Sequence, residues 1–195
     1  FFFNVFNFSA FELAANNHNT DILNLLLKMK KSLDYCLTRC KKLKEITIPS
    51  SILLIKNKDF FHCISLESLI FETPSFVATI GDKSFCKCLK LETITIPSSV
   101  VSIGAQAFFK CKKLKHVLFE KPSSLTEIGN MAFSECKSLK EIKIPSFVTH
   151  LGEYIFDNCI QLEKVTFEST SQLISMKKNV FNNCKSLKSI IIPSL

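Results

Sequence analysis

Residues 85–111 read FCKCLKLETITIPSSVVSIGAQAFFKC, one full turn of a pattern that recurs along most of the chain. Cys88 is followed by Leu91, Ile94 and Ile96; Cys111 is followed by Leu114, Val117 and Phe119. Seven cysteines share this register, at 40, 63, 88, 111, 136, 159 and 184, with spacings that alternate between 23 and 25 residues. Three residues before each cysteine from Cys63 onward stands a phenylalanine, and Leu37 takes that place before Cys40. A fixed period of this length marks a repeat architecture, in which one unit cannot bury its own apolar side and stacking builds the core.

The period carries its own chemistry. Six and eight residues after each cysteine come apolar side chains, with mostly polar neighbours at five and seven. That two-residue alternation predicts a strand with one buried face. Parallel stacking at about 4.8 Å per coil would make seven such strands span roughly 30 Å. The alternating spacing makes a larger unit of 48 residues: Pro49, Pro97, Pro145 and Pro193 close the strand in one class of coil, and Glu72, Glu120 and Glu168 in the other. All four glycines, Gly81, Gly104, Gly129 and Gly152, fall seven residues before a repeat cysteine. They predict a bend that needs either a positive φ or close backbone approach. From glycine to cysteine the apolar spacing of three and four suits a helical turn.

The pattern Ile-Gly-x-x-Ala-Phe-x-x-Cys-x-x-Leu-x-x-Ile-x-Ile-Pro-x-Ser-Val resembles the BspA-type leucine-rich repeat; Ile103–Phe108 carries one end of it and Ile94–Val100 the other. The resemblance covers about residues 33–195. It implies a β-rich α/β solenoid, a right-handed leucine-rich-repeat superhelix with a parallel sheet on its concave face. It also implies a non-enzymatic protein- or glycan-binding scaffold, since proteins of this family are often surface adhesins or antigens that bind host matrix proteins. Cell-surface location follows from the resemblance; a cytoplasmic adaptor built from ankyrin and leucine-rich repeats is the alternative.

Residues 1–32 read differently. Ser9–Leu27 resembles a single ankyrin repeat, with Ala14 and Ala15 where helices pack tightly and Asn19 or Thr20 placed to cap a second helix ahead of Asp21. Ala10, Glu12 and His18 depart from the ankyrin pattern, which has Pro, His and Gly there. A short helical hairpin is therefore expected, with Ile22, Leu23, Leu26 and Leu27 covering the open end of the first coil as a cap. The chain starts with Phe and stops after Pro193-Ser194-Leu195, so a longer array is expected at both ends.

Composition narrows the partners. The 195 residues are 47% hydrophobic and 22% charged, which argues against disorder, and the formal net charge is +8. No apolar run approaches the roughly 18–20 residues of a membrane-spanning helix. Arg39 is the only arginine, and the other basic residues are lysines. Lysine is a hydrated point charge rather than a fork for base edges, so a protein partner is expected, an acidic protein or a glycan being the options the charge adds, and sequence-specific nucleic-acid recognition is not expected.

No catalytic constellation, metal site or cofactor motif is expected. The cysteines are too widely spaced for a zinc site, and parallel side chains pointing into a core fit a disulfide badly. Buried thiols are the expectation. Cys36 and Cys86 stand off the repeat register, and the four histidines are scattered. The candidate ligand surface is the outward strand face. Its first column holds Glu45, Ser68, Thr93, His116, Glu141 and Lys164; its second holds Thr47, Ile70, Thr95, Leu118, Lys143 and Thr166. A lysine-rich stripe between cysteine and strand (Lys41, Lys42, Lys44, Lys90, Lys112, Lys113, Lys115, Lys137, Lys140, Lys185, Lys188) reads as a solvated rim, with capture of acidic proteins or glycans as the alternative.

Overall fold

A computed structural model describes residues 10, 13, 14, 17, 20–28, 33 and 37–191. It is a parallel β-solenoid with a short helix at its N-terminal side. Each coil contributes two strands, not the one expected. The longer ones are β1 (Glu45–Ile48), β3 (Ser68–Phe71), β5 (Thr93–Ile96), β7 (His116–Phe119), β9 (Glu141–Ile144), β11 (Lys164–Phe167) and β13 (Ser189–Ile191). Between them lie two-residue strands: β2 (Leu54–Ile55), β4 (Thr79–Ile80), β6 (Ser102–Ile103), β8 (Glu127–Ile128), β10 (His150–Leu151) and β12 (Ser175–Met176). The short strands form one continuous parallel sheet, β2-β4-β6-β8-β10-β12.

The longer strands pair in register, Ile46 opposite Leu69 and Ile94 opposite Val117, but not as one sheet. Ladders join β1 to β3, β5 to β7, and β9 to β11 to β13. The two breaks, β3 to β5 and β7 to β9, fall where a Glu coil meets the next Pro coil; the third such junction, β11 to β13, stays paired. Within a pair, Glu72, Glu120 and Glu168 donate their N–H to the carbonyls of Ile48, Ile96 and Ile144 at 2.9–3.0 Å. Pro97 and Pro145 have no N–H to continue that bond to the coil before them. Each glutamate also closes its pair through the side chain: Ser50, Ser98 and Ser146 donate their N–H to Glu72, Glu120 and Glu168 Oε2 at 2.9, 3.0 and 3.0 Å.

The segment from glycine to cysteine is not a helical turn. It is a run of tight turns held by i→i+3 bonds, such as Phe61 N–H to the Lys58 carbonyl and Cys63 N–H to the Phe60 carbonyl. Among the described residues thirteen non-glycine residues have positive φ, in two columns, one and five residues before the cysteine. Left-handed residues end each turn before a helix can propagate. Alternate N–H groups then point along the solenoid: Lys58, Phe60 and His62 donate to the carbonyls of Asp82, Ser84 and Cys86 in the next coil, at 2.8–2.9 Å.

None of the four glycines has positive φ; close approach is the reason for them. A Cβ on Gly104 would sit 2.6 Å from the Asp82 nitrogen and 2.8 Å from the Gly81 carbonyl carbon. The residue after the glycine uses that proximity. Asn57 Oδ1 accepts the Asp82 N–H at 2.7 Å, Asp82 Oδ1 the Ala105 N–H at 2.7 Å, and Asn130 Oδ1 the Glu153 N–H at 2.9 Å.

The core is a set of columns. Phe60, Phe85, Phe108, Phe133 and Phe156 are fully buried and stack with Phe181, ring centroids 5.0–5.8 Å apart and planes within 10°. That spacing is the favourable range for offset aromatic pairs. Beside them the thiols of Cys63, Cys88, Cys111, Cys136, Cys159 and Cys184 donate to carbonyls of the preceding coil, at Leu37, Phe60, Phe85, Phe108, Phe133 and Phe156, over 3.0–3.3 Å.

The helix α1 (Thr20–Lys28) packs against β1, with Leu23 and Leu27 buried in the common core and Leu26 partly so. Ile22, expected on the same apolar face, is instead half exposed, because it lies on the flank of the helix turned away from the first coil. Ala14 is buried, and Asn17 N–H bonds the Leu13 carbonyl at 3.0 Å, one turn of the expected first helix. Ala15, His18, Asn19, Cys36 and the Thr20 side chain, with their expected packing and capping, lie outside the described residues.

Candidate binding surface

All twelve residues of the expected strand face lie on the outward side of the longer strands, because a strand that buries its second and fourth residues must present its first and third. Burial follows that rule in β5 and β9, where Thr93, Thr95, Glu141 and Lys143 are exposed and Ile94, Ile96, Ile142 and Ile144 are buried. Cross-strand register sets the residues side by side: Glu45 by Ser68, Thr47 by Ile70, Thr93 by His116, Thr95 by Leu118, Glu141 by Lys164, and Lys143 by Thr166. Ser68, Thr47 and Thr166 are half-buried; the others are exposed.

Two features give this ribbon relief. Ile70 and Leu118, in equivalent places 48 residues apart, are 59% and 52% exposed, far more than a core strand residue. Between β7 and β9, where the ladder is broken, a hollow of about 230 Å³ is walled by His116 and Leu118 on one side and Glu141, Lys143, Lys164 and Thr166 on the other. An aliphatic wall facing both signs of charge suits a polar macromolecule with an apolar anchor.

The lysine-rich rim is not a run of like charges. Carboxylates interleave with it: Lys90 pairs with Glu67 at 3.1 Å, Lys115 with Glu92 at 2.8 Å and Lys188 with Glu163 at 2.6 Å. Hydrogen bonds from Lys115 and Lys188 lower the carboxyl pKa of Glu92 and Glu163. A list of lysines alone misses these partners, although every glutamate stands four residues after a repeat cysteine.

The thiols are poor candidates for chemistry. Burial raises the pKa of Cys63, Cys88, Cys111, Cys136 and Cys159 far above the ordinary thiol range, and Cys184, less covered, is pushed up to about 11. A nucleophilic or metal-binding cysteine needs its thiolate. Among the described residues no three His, Cys, Asp or Glu side chains converge as a metal site would require, and no helix is long and apolar enough to cross a membrane.

A second groove was not foreseen. It runs along the short-strand sheet with a volume of about 660 Å³, floored by the glycine column and edged by Thr79, Ser102, Glu127 and His150. Its signal was the small residue repeated at every bend, which leaves a channel when coils stack.

The family model described as a BspA type leucine rich repeat region matches residues 30–121 and 118–195, in six copies. No curated protein matches the chain. Among solved structures, a leucine rich repeat protein from T. pallidum is 28% identical with a TM-score of 0.55, covering 77% of this chain and 65% of its own. A leucine rich cell surface protein from Faecalibacterium prausnitzii is 28% identical over 65% of this chain and 40% of its own, with a TM-score of 0.47. The pneumococcal vaccine antigen PcpA is 23% identical over 77% of this chain and 51% of its own, with a TM-score of 0.49. The chain thus spans between 40% and 65% of the length of these three proteins. The seven-fold cysteine register, the stacked parallel coils and the matched repeats agree: this chain belongs to the BspA-type leucine-rich-repeat family.

Proposed function

We propose that this chain is a non-enzymatic, adhesin-like binding scaffold displayed at a cell surface, which takes a protein or glycan partner on its outward strand face. The observation that carries the reading is the ribbon itself. Parallel strands hold exposed Ile70 and Leu118 beside threonines and charges of both signs, with a hollow of about 230 Å³ at Leu118. A few well-packed anchor residues supply most of the energy at a protein interface. Membership of a family that resembles surface adhesins and antigens supports the location.

The test is direct binding of the purified chain to immobilised extracellular-matrix proteins and glycans. Ile70→Lys and Leu118→Lys should each weaken a bound partner at least tenfold, about 1.4 kcal/mol. Lys112→Ala, on the rim, should not. Equal losses from all three variants, or no binding to any immobilised partner, would reject the strand face. One observation favours a second reading, an intracellular adaptor: the described cysteines are thiols rather than disulfides, as in a reducing compartment. Buried thiols of raised pKa are also slow to oxidise outside a cell. Protease treatment of intact cells separates the two, since only a surface protein is cleaved.

A further inference from the structure

The turn face, on the other side of the coil from the strand ribbon, carries a charge pattern that stacking alone does not require. Its two left-handed columns need backbone tolerance, and asparagine is the non-glycine residue that accepts positive φ best. The later coils follow that preference with Asn158, Asn179 and Asn183. The first coils do not. They place Arg39, Lys58, Lys83 and Lys87 at φ of 55–65°, where long basic side chains gain nothing from the backbone.

These four cations surround an open cleft of about 620 Å³ whose apolar floor includes the half-buried rings of Phe61 and Phe109. The same column continues as Ser134, Asp157 and Asn182, so the aromatic floor and the basic rim stop together. Lys110 lies over the Phe109 ring at 4.9 Å and pairs with Glu135 at 3.2 Å, which marks the boundary. The backbone here is already used. Lys58 N–H is bonded to Asp82, Lys83 N–H to Ala105, Lys87 N–H to Phe109 and Arg39 N–H to Phe61. An extended acidic peptide would find no main-chain donors to add a strand against. A single-stranded nucleic acid would want a ring for each successive base, and only alternate coils supply one.

We propose that this cleft binds a sulfated glycan, whose sulfate esters pair with Arg39, Lys58, Lys83 and Lys87 while the apolar face of its sugar rings rests on Phe61 and Phe109. Anions on the edges of a flat, partly apolar ring match cations on both sides of an aromatic floor. The surface is separate from the strand ribbon, and this assignment stands whether or not that ribbon binds a partner.

The experiment titrates the whole chain with a size-fractionated heparin hexasaccharide, its desulfated form, a single-stranded DNA 12-mer and an oligoglutamate. The hexasaccharide should bind at least tenfold more tightly than each of the other three. Replacing Arg39, Lys58, Lys83 and Lys87 together with Asn should reduce that affinity more than tenfold. The melting temperature should hold or rise, since Asn suits the left-handed backbone. A charge-matched control, Lys112, Lys113, Lys137 and Lys185 together to Gln, should change affinity less than threefold. Phe109→Ser, the residue this column carries at 134, should weaken binding at least threefold. Equal loss in the rim control, equal binding of the desulfated sugar, or preference for DNA or oligoglutamate would each overturn the proposal.

Discussion

The glycine and cysteine columns show how single side chains are constrained by the coil beneath them. Gly104 has ordinary φ, so its replacement is a problem of space rather than conformation. Gly104→Ala should cost about 1–3 kcal/mol, the usual range for overpacking, seen as a lower urea midpoint with unchanged slope. The cysteines give a pH dependence whose sign is fixed by burial. Cys63, Cys88, Cys111, Cys136 and Cys159 have thiol pKa values raised in the fold, so the unfolded chain releases these protons first. Their contribution is intact below the ordinary thiol pKa of about 8.5 and falls as pH rises through it. Each thiol removes about 1.4 kcal/mol per pH unit once the unfolded state is ionised. Urea unfolding between pH 8 and 10 should show this decline, and Cys111→Ala should remove one thiol's share of the slope. The cysteine register was legible in sequence because Cys recurs at one offset. That its thiols cap carbonyls of the coil before was not, because a hydrogen bond between coils leaves no spacing of its own.

At the level of elements, the longer strands were readable and the turns were not. Alternation of Ile94 and Ile96 with Thr93 and Thr95 has only one physical reading, a half-buried strand. The three- and four-residue spacing from Gly104 through Phe108 to Cys111 suits a helix and a run of tight turns equally. Left-handed Gln106 and Lys110 decide for turns, and neither residue type announces positive φ. The two-residue strands escaped notice because Ser102 and Ile103 are too few to show a period. Glu168 illustrates what joins the elements. Burial raises its carboxyl pKa, but Lys121 at 3.0 Å and the Ser146 N–H outweigh that and lower it overall. Its stabilising effect is therefore present above the ordinary glutamate pKa of about 4.3 and lost as pH falls through the lowered value. Glu168→Ala should cost about 1–2 kcal/mol at pH 7, with the gap to the unsubstituted chain closing as the carboxyl protonates in acid, as followed by urea unfolding. At the N-terminal side, Leu27→Ala should cost about 2–5 kcal/mol if α1 caps the stack, measured by thermal melting.

For the whole molecule, the Phe60–Phe181 stack makes each coil depend on its neighbours and on little else. Stability in such an array is close to a sum of unit and nearest-neighbour terms. Phe133→Ala, in the middle of the stack, should cost about 3–5 kcal/mol and raise amide exchange in the coils on both sides of it before the ends respond. The strand face was legible because its residues follow from strand alternation; the turn-face cleft was hidden, because its cations sit in columns that only stacking brings together. The Glu-to-Ser bonds at 72–50, 120–98 and 168–146 carry a further consequence, for how such a gene changes length. Excising residues 97–144 joins Ile96 to Pro145 and keeps every remaining glutamate opposite the serine it serves. Excising only residues 97–119 joins Ile96 to Glu120 and sets Glu120 above Glu72, with no proline-following N–H for its carboxylate. The shorter deletion should melt at the lower temperature despite losing fewer residues, so duplication and loss in this lineage should proceed by coil pairs.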